Sequence, residues 1–600
     1  MADKIMERAE IAQEFKWALE DLYADTAAWE QDLETLRGLI HKIPDYKGRL
    51  SADANELLSY LRLNEELSVL CDSLANYAQR KSDEDTRVSE NQALVGRLMM
   101  LLTEAGELSD FEAPEILSIS DETMASFYAS CPELELYRRH LDKIRRKRAH
   151  ILDAAGEKLL ASAGEMADVA ENVYGLFNNA DLTFPAVLDG EGKEHALSQG
   201  TYISLMQSED RVLRENAFRA YYKVYGGFRN TMGATLAGQV KSLMFYTKAR
   251  NYASPLERAL DASEVPTSVY ENLIRVVNEN QHLMFRYIAL RKKLLGVEEL
   301  HFYDLYAPLV SGTDEKIPYE QAVETVKEAL LPLGENYAKQ LKNGFESRWI
   351  DVYENRGKRS GAYSAGARVH PFVLLNYTGT LDSQFTIAHE MGHALHSWYS
   401  NKNQPVVYSD YVIFVAEVAS TCNEALLMEH LLAKTTDKKQ RASLINHFLE
   451  QFRATLYRQT MFAEFELTIS KMEMAGQPLT ADSLSQAYRE LVHRYFGDGI
   501  VMDEEIALEW ARIPHFYYNF YVYQYATGYA AAIALSRGIL RGENGAVEKY
   551  LNFLSGGSSK DPISLLRDAG VDMATEAPVR DALQLFEELL DEMEKLMEDA

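Results

Sequence analysis

Apolar residues recur at the helical period through most of the chain, and only 15 prolines punctuate its 600 residues. A sustained 3.6-residue period is met by amphipathic helices, whereas half-buried strands need a period of two. A mostly α-helical fold is therefore expected from end to end. The last such segment, "DALQLFEELLDEMEKLMEDA", puts Leu585, Phe586, Leu589, Leu590, Met593, Leu596 and Met597 on one stripe with acids opposite. That is a packing helix with no catalytic role. Six hundred residues exceed what a single core holds, so more than one domain is expected. Helical character first breaks at "LTFPAVLDGEGKEHALSQGTYISLM", where Gly190 and Gly192 turn between two short β-like runs. A boundary there separates an N-terminal helical domain, 1–195, from a second domain, 196–600.

Charge and hydropathy exclude several function classes. A formal charge of −29 disfavours nucleic acid and anionic lipid, which are held by clustered Lys and Arg. The dense basic run "DKIRRKRAH" (142–150) lies on a helical pattern and reads as a solvated face. Apolar runs never reach the roughly 18 residues of a membrane span, and "YVIFVAEVA" is broken by Glu417. The charged start "MADKIMERAEIAQEF" has no apolar signal segment, so a cytoplasmic location is expected. Cys71, Cys131 and Cys422 are odd in number and unrelated in spacing, which gives no disulfide framework and no CxxC zinc pattern. Oligomeric state leaves no sequence signal.

A second break, residues 355–384, reads as a glycine-rich loop, a strand ("PFVLLNY"), a turn and then a helix. The loop "GKRSGAYSAG" lacks the GxxxxGK[ST] order of a phosphate loop, and a flexible flap over a cleft is the better reading. The strand is expected to offer an edge on which an extended peptide adds by backbone pairing.

The helix that follows carries "TIAHEMGHALHSWYS" (386–400). Residues four apart share a face, so His389 and His393 can direct two imidazole nitrogens at one ion. Glu390, about 100° further round, can act on water at that ion without being a ligand, the HExxH arrangement of metalloproteases. Asp382 or Thr380 can cap the helix, and Ile387, Met391, Leu395 and Trp398 form its packing stripe.

Catalytic zinc sites use three protein ligands and keep one position open, so a third ligand is required. His396 lies a turn too far along for one ion, and the metzincin order HExxHxxGxxH is absent. A second helix, "YVIFVAEVASTCNEALLMEHLL", offers Glu417, Glu424 and Glu429. Glu417 interrupts an apolar run and is expected to be buried, as a ligand or as an ion-pair partner. Glu424 shares its face and can accept from a ligand imidazole, whereas Glu429 reads as surface.

The run "ARIPHFYYNFYVYQYATGYAAA" (511–532) carries seven Tyr or Phe within ten positions after His515. On one continuous helix His515, Tyr518 and Tyr525 share a face, as hydrogen-bond donors for an oxyanion or as core packing.

"HEMGHALH", the glutamate of "FVAEVASTCNE" 24 residues after His393, "GKRSGAYS" and "HFYYNFYVYQYATG" together resemble oligoendopeptidase F, within the thimet oligopeptidase family of zinc metallopeptidases. The N-terminal "FKWALEDLYADTAAWEQDLE" is similar too, so the resemblance spans nearly the whole chain. It implies one zinc ion held by His389, His393 and Glu417, with Glu390 as general base and proton donor to the leaving amine. His515 and Tyr525, with Tyr518 or Tyr517, would contact substrate and stabilise the oxyanion. The implied fold has two helical lobes around a deep channel that admits short peptides, with a small β-sheet beside the HExxH helix.

The reading for this chain is a cytoplasmic zinc oligoendopeptidase that cuts internal bonds of short peptides. The alternatives are an exopeptidase of the dipeptidyl carboxypeptidase kind, and a non-catalytic zinc protein that binds peptides. Against the latter, structural zinc sites are usually filled by four protein ligands.

Overall fold

The computed structural model describes residues 5–310 and 316–598; residues 1–4 of the charged N-terminus lie outside it. Among the described residues helices dominate, and strands form only two small sheets. No described helix is long and apolar enough to cross a membrane. Internal contacts divide the chain into two units, each assembled from three separate segments.

The first unit comprises residues 1–149, 314–430 and 535–571. Its N-terminal helices begin at side-chain caps: Asp25 accepts the Ala28 N–H before Thr26–Ile40, and Asp53 accepts the Asn55 N–H before Ala54–Glu84. Trp29, Leu33, Leu36 and Ile40 repeat at three and four residues and are fully buried against Leu57, Tyr60, Leu61 and Leu74. Each such side chain stabilises the fold by roughly 1.5–3 kcal/mol through its removal from water. Phe372 and Leu374 join the same core.

Those two residues belong to the strand Phe372–Leu374, the middle of a three-stranded sheet. It pairs in parallel with Ile350–Asp351 and antiparallel with Tyr363–Ala365. The strand expected to offer an edge is thus interior, and its three buried apolar side chains are what a strand covered on both faces needs. The edges are Ile350–Asp351 and Tyr363–Ala365, the latter within the glycine-rich stretch. That stretch is also anchored: the ammonium of Lys358, wholly buried, donates to the carbonyls of Tyr353 (2.7 Å) and Leu375 (2.6 Å) and pairs with Asp351 at 2.8 Å. A free flap from residue 357 onward is not what the chain builds.

The second unit comprises residues 150–313, 431–534 and 572–600. Its body is formed by long helices, Arg211–Gly227, Arg229–Ala249, Arg458–Met474 and Ala481–Phe496. The C-terminal helix Ala577–Glu598 buries Leu585, Phe586, Leu589, Leu590 and Met593, with the Phe586 ring 5.3 Å from Phe452 and 5.5 Å from Tyr457. The turn-rich stretch expected as a domain boundary near residue 195 is a two-stranded ribbon, Val187–Leu188 with Glu194–His195, inside this unit.

Candidate metal centre

Thr380 caps the helix Leu381–Asn403 by accepting the Ser383 N–H at 3.1 Å; Asp382 lies in the first turn. Ile387, Met391 and Leu395 are completely buried, and Trp398 is half-buried at the end of the stripe. With that stripe packed, His389 and His393 face the other way, their ring centres 4.8 Å apart and nearly perpendicular.

A second helix, Ile413–Lys434, supplies the third group. Gly392, inside the HExxH motif, lets the two helices meet. A Cβ there would lie 2.6 Å from Ser420 Cα and 2.7 Å from the Ala419 carbonyl oxygen, closer than real Cβ contacts allow. The pair is tied by Asn423, whose side-chain N–H donates to the Ala388 carbonyl at 3.0 Å and whose oxygen accepts from Tyr337 at 3.0 Å. The approach brings Glu417 Oε2 to 3.4 Å from the Nε2 atoms of both His389 and His393. Ser420 donates to the same oxygen at 3.0 Å and fixes its rotamer.

His389, His393 and Glu417 place their ligand atoms within 4.8 Å of one another, the one group of this kind among the described residues. Glu417 is half-buried, not enclosed as its apolar flanks led one to expect. The other ring nitrogen of His389 lies 3.5 Å from Glu424 Oε1, so Glu424 takes the orienting place expected of it.

Burial works against charge on His389, but the carboxylates of Glu417 and Glu424 overcome it and hold the imidazole far above its usual range. Burial likewise opposes ionisation of Glu417, and the two imidazoles override it and hold the carboxyl well below its usual range. Two imidazoles competing for one carboxylate oxygen are the donor set a divalent ion takes over, displacing their protons. The residues fit a metal with two nitrogen ligands and one oxygen ligand.

Glu390 is only 6% exposed, and its Oε2 has no hydrogen-bond partner. Burial raises its carboxyl above the ordinary range, against the pull of His389 and His393. A buried acid left half unpaired costs stability, and such groups concentrate where chemistry is done. His396 stands apart from the cluster. Its ring stacks on Tyr411 at 3.7 Å and 3°, and burial drives its pKa down to about 3, so it is a neutral packing ring.

His515, Tyr518 and Tyr525 belong to the second unit and do not lie on one helix. A short 3₁₀ helix, Pro514–Tyr517, ends at Tyr518; Asn519 and Phe520 follow with φ of 52° and 62°, and an α-helix resumes at Tyr523. Two successive left-handed residues cannot continue a right-handed helix. The rings still gather: Tyr518 and Tyr525 lie 5.6 and 5.9 Å from the His515 ring, and Tyr525 Oη is 3.5 Å from His515 Nε2. Tyr521, not anticipated, joins them at 6.2 Å. Tyr518 is 45% exposed, whereas Tyr517 is buried and stacked on Tyr174 at 4.4 Å.

A mostly helical chain that sets two imidazoles and a carboxylate around one point, with a second carboxylate alongside, has the build of an HExxH hydrolase. Residues 204–585 match the model of peptidase family M3, and residues 115–184 match a model described as oligopeptidase F. Oligopeptidase PepF of Bacillus subtilis is 46% identical over 597 residues, 99% of this chain and 89% of its own. Group B oligopeptidase PepB of Streptococcus agalactiae is 40% identical over 591 residues, 98% of each. The solved oligoendopeptidase-F of Enterococcus faecium superposes with a TM-score of 0.75 at 38% identity, covering 95% of this chain and 99% of that one. The chain belongs to peptidase family M3 and is a peptidase.

Proposed function

We propose that this peptidase is a zinc-dependent oligoendopeptidase that hydrolyses internal bonds of short peptides. The observation that carries the reading is the convergence of His389, His393 and Glu417 beside a buried, half-unpaired Glu390. The names of the relatives, oligopeptidase and oligoendopeptidase, support the substrate class. The three cysteines carry no disulfide, which suits a reducing, cytoplasmic setting.

Zinc held by His389, His393 and Glu417 would supply Lewis acidity, polarising the scissile carbonyl and making water a stronger acid. The side chains perform the remaining steps. Glu424 holds His389 through its second nitrogen and fixes which nitrogen faces the ion. Glu390 accepts the proton of the attacking water and passes it to the departing amine nitrogen. For the developing oxyanion we assign donors to the His515, Tyr518 and Tyr525 cluster, on the chemistry of imidazole N–H and phenol O–H. The edge of Tyr363–Ala365 is assigned to the backbone of an extended substrate, in register with the antiparallel pairing it already makes.

An N-acetylated, C-amidated peptide tests the reading. Internal cleavage, lost on chelation and restored by zinc, is the expected result. Intact blocked peptide with trimming of an unblocked one would replace endopeptidase by exopeptidase action.

A further inference from the structure

Between the two halves of the aromatic cluster lies the Asn519–Phe520 pair, and left-handed backbone at residues with side chains persists only where surroundings impose it. Two buried polar side chains do so here. From the helix Arg458–Met474, Glu466 accepts the Phe520 N–H on Oε1 at 2.8 Å. From the helix Arg229–Ala249, Gln239 donates to the Tyr517 carbonyl at 2.8 Å and to Asn519 Oδ1 at 3.2 Å. The Phe520 ring is buried edge-on against Tyr270, 5.6 Å away, which seats the turn between these hooks.

Glu466 is an unusual choice for a structural role. It is 5% exposed, its second oxygen has no partner, and it makes no ion pair among the described residues. Burial raises its pKa to about 8, so near neutrality it is an uncharged acid whose hydrogen bond is the one to the turn. Half of the carboxyl's own capacity is unmet, so apart from accepting the buried Phe520 N–H it adds little that an apolar side chain of similar volume would not. What the carboxyl adds is the conformation at Phe520, and with it the spacing of Tyr518 and Tyr521, whose ring centres lie 6.3 Å apart on either side of the pair.

We propose that Glu466 is a positioning residue for the peptidase reaction: it hooks the Phe520 N–H, holds the left-handed turn, and so sets Tyr518 and Tyr521 against His515, with Gln239 as the second hook. The inference rests on the assignment of the His515 cluster to the oxyanion, and it concerns a group that touches no substrate.

The test uses the full-length, zinc-loaded enzyme in four forms: wild type, Glu466→Gln, Glu466→Met and Gln239→Met. Each is assayed on a blocked peptide for kcat and KM, with zinc content, melting temperature and the ¹⁹F spectrum of 3-fluorotyrosine at position 518. Gln can still accept the Phe520 N–H and should keep kcat within about twofold with an unchanged ¹⁹F shift, whereas Met should lower kcat by about a hundredfold. KM and zinc should move little in the Met variant, its melting temperature should fall because the buried Phe520 N–H loses its acceptor, and its ¹⁹F line should shift or broaden. Gln239→Met should follow in the same direction and serves if Glu466→Met does not fold. An unmoved ¹⁹F line in the folded Met variants, or a Gln variant as damaged as Met, overturns the proposal. A moved line with undiminished kcat also overturns it; if His515→Ala then keeps wild-type kcat as well, the oxyanion assignment has failed, whereas a loss there confines the failure to Glu466.

Discussion

The His389–His393–Glu417 cluster stands on two unbroken helices, whereas the His515 cluster stands on a helix that has been interrupted. In the first, spacing along the chain becomes geometry directly: four residues are one turn, and one glycine sets the distance between helices. In the second, Tyr518 shares one 3₁₀ turn with His515, but Tyr521 and Tyr525 meet that ring only because Asn519 and Phe520 reverse the backbone and buried side chains hold them there. The metal cluster should therefore fail through its own residues, and the aromatic cluster also through residues remote from it.

The largest effect tests the first half of that contrast. Glu417→Ala should empty the site and abolish turnover, because two imidazoles alone bind zinc far more weakly. Elemental analysis after dialysis measures it, and full occupancy would point to a different third ligand. Next comes the aromatic cluster. Tyr518→Phe should lower kcat by about 10² with zinc retained. Tyr517→Phe, whose phenol is buried against Tyr174, should leave kcat unchanged. Steady-state kinetics on one peptide separates the two, and the reverse ranking would move the donor to Tyr517.

These contrasts follow the line between what was legible in the sequence and what was not. The motif helix, its stripe and Glu424 were readable because helices convert period into faces, and Glu417 stood out as an acid in an apolar run. Gly392 went unused, although a glycine inside a helical pattern is itself a signal of close approach. The strand at 372–374 was visible but its rank in the sheet was not, since strand order depends on partners remote in the chain, Ile350–Asp351 and Tyr363–Ala365. Tyr521 was missed because a continuous helix would turn it away from His515. Nor could periodicity show that each compact unit draws on three separate segments.

Two further effects sharpen the comparison. Gly392→Ala should cost about 1–3 kcal/mol by pressing a methyl group into the Ala419–Ser420 backbone. Zinc affinity should fall with stability, as read by denaturant unfolding with and without the metal; an unchanged midpoint would show that the helices part freely. The last effect is one of pH. Glu466 titrates at about 8 in the folded chain and near 4.5 when unfolded, so the folded state holds the extra proton between those values. Its contribution is full below about pH 4.5 and is lost as pH rises to about 8. Glu466→Gln, with nothing to titrate, should thus gain in melting temperature relative to wild type across that window and level off above it. A constant difference from pH 5 to 9 would place the carboxyl's pKa elsewhere.

The central claim is that three side chains hold the ion while a fourth, Glu390, moves the proton without binding it. Turnover of Glu390→Gln reconstituted to one zinc per chain tests this most directly. The account predicts a fall in kcat of about 10²–10⁴ at full occupancy, and zinc-loaded enzyme turning over at the wild-type rate would contradict it.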